Sequence, residues 1–401
     1  MRVLSIISAY PSSIGGAQLH AHELNQALRR RGTELTVATL WRDSRTDWLR
    51  GSTIAAPPPE PATDLDGIPV EVVGLTPHER RAATLPALTY YASMRRVRPR
   101  LTRLFQQRAE VAIERHRPEV AHLSRIGREW WYQAFIEVLG ARGVPFVITP
   151  NHHAHWGARA RDWWWNEIYR AAAAVLVLSD HEADAVARIG VPRNRIIRTV
   201  VGVVGGPAEE ASTERAADER HHPVVLFLGQ VKTYKGVDRL YDAMVEHVWP
   251  SHATARMVVV GPWVDRLPGL RRRLEADPRV DVLGPVDEAT KWRQLRRATV
   301  LCMPSTEEAL GGVYIEAWSV GCPAIGADIP PVRELFERAG TGMVVAPEPS
   351  YIGRAVSALL ADPDRRDALG AAGAAAVSEE FNWDVAAERA RAAYDLALSR
   401  T

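Results

Sequence analysis

Short apolar runs alternate with amphipathic stretches of helical period along nearly the whole chain. That alternation leaves little room for any architecture but parallel sheets covered by helices. RVLSIIS (residues 2–8) reads as a first strand, GGAQLHAHELNQALRRRG as a loop and helix closed by Gly32, and ELTVATL (34–40) as the next strand. PEVAHL, PFVITP, AVLVLS and RIIRTVVGV continue the series. Residues 205–223, GGPAEEASTERAADERHHP, interrupt it with small, charged and turn-forming residues, as a linker does. Strands resume with VVLFLG, RMVVVG, RVDVLG, TVLCMPS, CPAIGA and GMVVAP, and two alanine-rich helical stretches and FNWDVAAERARAAYDLAL follow. The expected fold is α/β, with two Rossmann-like, doubly wound parallel-sheet halves of similar size facing a cleft. Ligands of such sheets bind beyond the carboxyl ends of the strands, so chemistry is to be sought there.

Composition narrows the function classes. A chain of 401 residues with 46% apolar content is long enough for two cores. A net charge of +2 gives no general affinity for nucleic acid, which needs a basic groove or stripe. Cys302 and Cys322 stand in apolar company, as buried small hydrophobes do, which fits a reducing cytoplasm better than a disulfide or metal pair. At the N-terminus, Tyr10 and Pro11 arrive before a signal-peptide core or a membrane span is complete.

Two local stretches carry chemistry. FLGQVKTYKG (227–236) holds Lys232 and Lys235, two of only three lysines in a chain whose other basic side chains are arginine and histidine. An ammonium is a compact point charge, suited to gripping one small anionic group. Farther on, PSTEEALGGVYIEAWSVGCPAIG follows a strand; Glu308 and Glu316 flank Gly311 and Gly312, with a helix starting near Val313. Exposed amides at a helix start suit a phosphate or diphosphate, and ionised carboxylates suit a diol. The same spacing also suits a Glu308 that merely flanks the loop and a Glu316 solvated on a helix face.

EALGGVYIEAWSVGCPAIG resembles the signature of the retaining GT-B glycosyltransferases of glycosyltransferase family 4. SAYPSSIGGAQLHAHELNQALRRRGTELTVAT, FLGQVKTYKGVDRL, PPVRELFERAGTGMVV and FNWDVAAERARAAY resemble other segments of that family in the same order, so the likeness covers nearly the whole chain. It implies an acceptor-binding N-terminal domain over 1–205, a donor-binding C-terminal domain over 220–381, and a last helix, about 382–401, that packs back on the first domain. The implied reaction moves a sugar from a nucleoside-diphosphate sugar, a UDP- or GDP-sugar, to a hydroxyl acceptor. It proceeds on a single face with retention, with no metal or other cofactor.

Roles follow by position. The resemblance assigns Lys235 to the donor diphosphate, Glu308 to hydroxyls of the transferred sugar and Glu316 to the ribose. Leu310, Gly311, Gly312 and Val313 fall at the sugar and diphosphate, Leu283 and Gly284 at the base, and Gly15 and Gly16 at the diphosphate from the other domain. Gln230 stands where the family has arginine, and Lys232 is the expected substitute; a solvated loop charge is the other reading. In TPNHHAHW, Asn151 occupies the position of the family's histidine and His152, next to it, is the expected catalytic substitute, with His153 and His155 as further candidates. His122 matches another recurrent histidine of the N-terminal domain. These histidines lack a carboxylate or cysteine at metal-ligand spacing, so no metal site is expected.

Two surface features remain. Residues 80–117 hold ten arginines against two glutamates, which suits a peripheral contact with anionic lipid at the inner face of a membrane, an anionic acceptor, or a solvated helix. Three adjacent tryptophans, Trp163, Trp164 and Trp165, cannot all face one core if helical, and Trp164 is the candidate for stacking on an acceptor sugar. The acceptor is left as a sugar, a lipid-linked molecule or a secondary metabolite. A nicotinamide-dependent oxidoreductase is disfavoured, because the glycines fall too far from the first strand and ATLW offers no acid. A non-catalytic ligand-binding or scaffold protein on the same frame is the remaining alternative.

Overall fold

The computed structural model describes residues 1–10, 16–41, 56–90, 93–125, 129–151, 163–203, 222–309 and 311–400, with Trp163 and Pro268 as backbone only. The chain divides into two compact units: residues 1–200 with 383–401, and residues 201–382.

The first unit is built on an eight-stranded sheet. Its strands are β1 (Arg2–Ala9), β2 (Glu34–Trp41), β3 (Glu60–Leu65), β4 (Ile68–Val72), β5 (Val120–Ser124), β6 (Phe146–Thr149), β7 (Ala174–Val177) and β8 (Ile196–Arg198). The order across the sheet is β3-β4-β2-β1-β5-β6-β7-β8, parallel throughout except for the antiparallel β3–β4 pair. Helices α1 (Gly16–Arg30), α2 (Pro77–Thr89), α3 (Met94–His116), α4 (Glu129–Ala141), α5 (Trp163–Ala171) and α6 (Asp180–Arg188) connect the strands. Central strands are buried along their length, which is why they read as continuous apolar runs and not as alternating ones. Between the sheet and α3 and α4 lies a core containing Leu101, Phe105, Trp130, Trp131 and Phe135.

The β3–β4 hairpin was not evident in the sequence pattern, because the strand residues of EPATDL are mostly exposed and only half-apolar. Its turn is nonetheless written chemically: Asp66 and Gly67 take φ of 50° and 79°, the left-handed pair that a two-residue hairpin loop needs. The last helix of the chain, Trp383–Leu398, belongs to this unit and packs on α1, β6 and β7.

The second unit is a six-stranded, wholly parallel sheet. Its strands are β9 (Val224–Leu228), β10 (Arg256–Val260), β11 (Val280–Gly284), β12 (Val300–Met303), β13 (Ala324–Ala327) and β14 (Met343–Val345), in the order β11-β10-β9-β12-β13-β14. Helices α7 (Val237–Ala243), α8 (Pro268–Ala276), α9 (Glu288–Arg297), α10 (Gly312–Ser319), α11 (Pro330–Ala339), α12 (Pro349–Ala361) and α13 (Pro363–Glu379) cover it. Sequence order reverses between β9 and β12, so the loops leaving those two neighbours open a crevice at the carboxyl edge of the sheet. Behind it, Trp318 and Phe336 meet edge to face at 5.1 Å, and α13 approaches through Gly373, where a Cβ would lie 2.8 Å from the indole.

Candidate functional site

The loops that follow β9 and β12 are fastened to each other by one main-chain bond and one arginine side chain. Thr306 N donates to Tyr234 O at 2.8 Å, and Arg239 Nη1 donates to Pro304 O at 3.0 Å. Gly236 allows the close approach: its φ is 77°, and a Cβ there would sit 2.4 Å from Pro304 O. The lysine loop is anchored from its other side by Asp265, whose Oδ2 accepts from Thr233 N at 2.8 Å and from Thr233 Oγ1 at 3.0 Å. Those bonds, with Lys232 nearby, hold the Asp265 carboxyl below its ordinary range.

On this frame Lys235 Nζ lies 2.6 Å from Glu308 Oε1, with Glu308 only 5% exposed. Tyr234 stands between the two lysines, its ring centroid 5.6 Å from Lys232 Nζ and 5.4 Å from Lys235 Nζ. Burial, then the charges of Glu308, Glu307 and Asp265, push its hydroxyl up to about 12, so it stays a neutral donor. Lys232 is half-buried and has no carboxylate ion pair among the described residues.

Helix α10 begins beside this pair. Gly311 precedes it in the left-handed region (φ 91°), and no side chain caps the helix start. Any Cβ at Gly311 would press to 2.6 Å from the Tyr314 ring, whose hydroxyl is tied to Met303 O at 2.9 Å. The amides of the first turn, Gly312 and Val313 among them, therefore lie under backbone and not under a side-chain cap. The helix starts at Gly312, one residue before the expected point. Glu316, one turn on, is not the solvated helix residue that spacing alone allowed: its side chain is 19% exposed and paired at 3.1 Å with Lys291 Nζ. Leu283 is exposed at 42%, and Gly284 closes β11 with φ 67°.

The second unit thus brings together Lys232, Lys235, Glu308, Gly311, Gly312, Val313 and Glu316 on the β9 and β12 side of its sheet. Lys291 was missed by sequence reasoning. The signal was available, since it is the third and last lysine of the chain.

In the first unit two expected acceptor-side residues are corrected. His122 is 2% exposed, its Nδ1 2.7 Å from Tyr394 Oη and its Nε2 2.8 Å from Thr149 Oγ1. Both ring nitrogens are occupied, and burial with neighbouring His20 pushes its pKa down to about 3, so it is a neutral strut beneath the C-terminal helix. Trp164 is 7% exposed with the Arg98 guanidinium 3.8 Å over its ring, so that face is closed to a sugar; Trp165 is buried too. Asn151 follows β6 in the left-handed region, φ 50°. Gly16 begins α1. Gly15, His152, His153, His155 and Leu310 lie outside the described residues.

Known proteins resemble both units of the chain. A family model described as "Glycosyl transferase 4-like domain" matches residues 15–202, and one described as "Glycosyl transferases group 1" matches residues 208–376. A D-inositol 3-phosphate glycosyltransferase from Xylanimonas cellulosilytica is 32% identical over 253 residues, a match spanning 58% of this chain and 59% of that relative. Among solved structures, sucrose-phosphate synthase from Thermosynechococcus elongatus has a TM-score of 0.74 at 19% identity over 100% of both chains. Anabaena HepE in complex with UDP and glucose has a TM-score of 0.71 at 17% identity, covering 98% of this chain and 99% of that one. At such identities the likeness is one of fold.

Proposed function

We propose, from the premise that this chain belongs to the GT-B glycosyltransferases of family 4, that it moves a sugar from a nucleoside-diphosphate sugar to a hydroxyl acceptor, with retention and without a metal ion. The observation that carries the reading is the Lys235–Glu308 pair at 2.6 Å where the sheet of the second unit reverses its strand order.

In this reading Lys235 shares its charge between Glu308 and the donor diphosphate, and neutralises the charge that grows on the leaving group. Lys232 adds a second cation in place of the missing arginine, so charge balance at the phosphates needs no metal. Glu308 accepts from hydroxyls of the transferred sugar, Glu316 from the ribose, and the first-turn amides of α10 hold phosphate oxygens. The base lies by Leu283 and Gly284, and a UDP- or GDP-sugar is the donor.

The bond from the anomeric carbon to the diphosphate oxygen breaks while the acceptor oxygen bonds to that carbon on the same face, and the acceptor proton passes to the departing diphosphate. Glu308, held by Lys235, is a poor nucleophile, which favours this route over a covalent intermediate. The acceptor is a hydroxyl of a sugar, a lipid-linked molecule or a secondary metabolite, with Asn151 on its side.

The test is turnover of UDP-, GDP- and ADP-sugars by purified protein in EDTA, read as released diphosphate and as the anomer first formed. Release with retention supports the proposal. Folded protein that hydrolyses and transfers none of them favours the non-catalytic scaffold, and strict metal dependence or inversion contradicts the mechanism.

One observation favours a peripheral membrane contact as well. On α2, Leu85 is 69% and Leu88 42% exposed, one turn after exposed Arg81. The adjoining α3 exposes Arg96, Arg100 and Arg103 on one face. Exposed apolar side chains and exposed arginines on adjoining helices suit anionic headgroups. Cosedimentation with phosphatidylglycerol vesicles, but not phosphatidylcholine vesicles, that is lost in L85S/L88S would support it; equal pelleting by the variant would contradict it. Among the described residues no helix is long and apolar enough to cross a membrane.

A further inference from the structure

The third lysine stands where helix physics disfavours it. Lys291 lies in the first turn of α9, whose N-cap Asp287 accepts from Thr290 N at 2.7 Å, and a cation near a helix N-terminus opposes the helix dipole. Its Nζ reaches two carboxylates, Glu288 Oε2 at 2.7 Å and Glu316 Oε1 at 3.1 Å. Glu288 is 67% exposed, whereas Lys291 and Glu316 are 15% and 19% exposed, so the ammonium is drawn inward by Glu316.

We propose that Lys291 is a positioning residue for ribose recognition: it keeps the Glu316 carboxylate ionised and aimed, so that it can accept from both hydroxyls of the donor's ribose. This rests on the donor-site reading above.

The charges that face Glu316 among the described residues both come from α9, Lys291 and Glu288. From the other elements packed on α10, β13 (Ala324–Ala327) has no ionisable side chain, α11 contributes Phe336, and α13 arrives through Gly373. Burial raises the Glu316 pKa, and Lys291 is what opposes the rise. On Lys291 itself burial works against the charge, but Glu316 and Glu288 outweigh it and lift its pKa, so it remains an ammonium. Without Lys291, burial and the like charge of Glu288 act together, and Glu316 takes up a proton at higher pH. A protonated carboxyl has given up an acceptor site that the diol needs.

The experiment compares UDP, GDP and ADP with their 2′-deoxy analogues by calorimetry from pH 6 to 8.5, on wild type, Lys291→Met and Lys291→Arg. Wild type is expected to prefer the ribonucleotide about tenfold or more, since a hydrogen bond to a charged group is lost with the 2′-hydroxyl. In Lys291→Met the preference should be smaller than in wild type and should shrink further as pH falls; Lys291→Arg should restore it. A folded Lys291→Met that keeps the wild-type preference at every pH overturns the inference alone. If wild type binds none of the diphosphates, or does not distinguish ribose from deoxyribose, the donor-site reading fails and the inference with it.

Discussion

Lys235 and Glu308 are 73 residues apart in sequence and leave different strands, yet their side chains meet at 2.6 Å. The pair holds a charge ready at the carboxyl edge of the sheet. It also makes each partner responsible for the other, because Glu308 is buried and Lys235 nearly so.

Lys235→Ala is expected to do two separable things. Turnover should fall by roughly 10² to 10³, the usual cost of removing a preorganised charge from a developing anion. Stability should fall by roughly 1–3 kcal/mol, because Glu308 is left buried without its partner. Adding Glu308→Gln should recover stability in urea denaturation without recovering turnover; recovery of both would remove Lys235 from the chemistry.

Gly236→Ala tests the fastening of the two loops. The backbone is left-handed there, and the new methyl would meet Pro304 O at 2.4 Å. A loss of roughly 2–4 kcal/mol is expected from strain and clash together, with weaker diphosphate binding at temperatures where the variant is folded. An unchanged urea midpoint would show that the loops are not held by this contact.

Asp265→Ala releases Thr233 from the surface side of the lysine loop. The melting temperature should stay close to wild type, since Asp265 is only half-buried, while affinity for a nucleoside diphosphate weakens several-fold as Lys232 and Lys235 lose their fixed approach. Equal affinity in calorimetry would rule out a positioning role for this loop anchor.

The buried histidines of the first unit make its stability depend on pH. Burial pushes His20 down to about 4 and His122 to about 3, against 6.5 in the unfolded chain. Between those values the unfolded state binds more protons, so stability is full above about pH 6.5 and falls as pH drops toward 4. Each histidine contributes a slope of up to about 1.4 kcal/mol per pH unit. The slope of urea midpoint with pH should be shallower in His122→Gln than in wild type; parallel curves would contradict the assignment.

What the sequence made legible is what local chemistry encodes. Buried parallel strands write themselves as apolar runs, and the lysine loop, Glu308, Gly311 and Glu316 lie in short segments with distinctive residue types. The rest depends on partners far away in the chain. His122 has the sequence setting of an acceptor-side group, but Tyr394, 272 residues on, occupies its Nδ1. Trp164 is closed by Arg98, from a different helix. Lys291 meets Glu316 across 25 residues and two helices, a pairing that no periodicity records. Its rarity as a lysine was the one local trace.

The most direct test of the donor site is calorimetric titration of wild type and Lys235→Ala with UDP, GDP and ADP in EDTA. One diphosphate should bind wild type without metal, and the same nucleotide should bind the variant at least tenfold more weakly. Binding of none of the three by folded wild type, or equal affinity in the two proteins, would contradict the donor site.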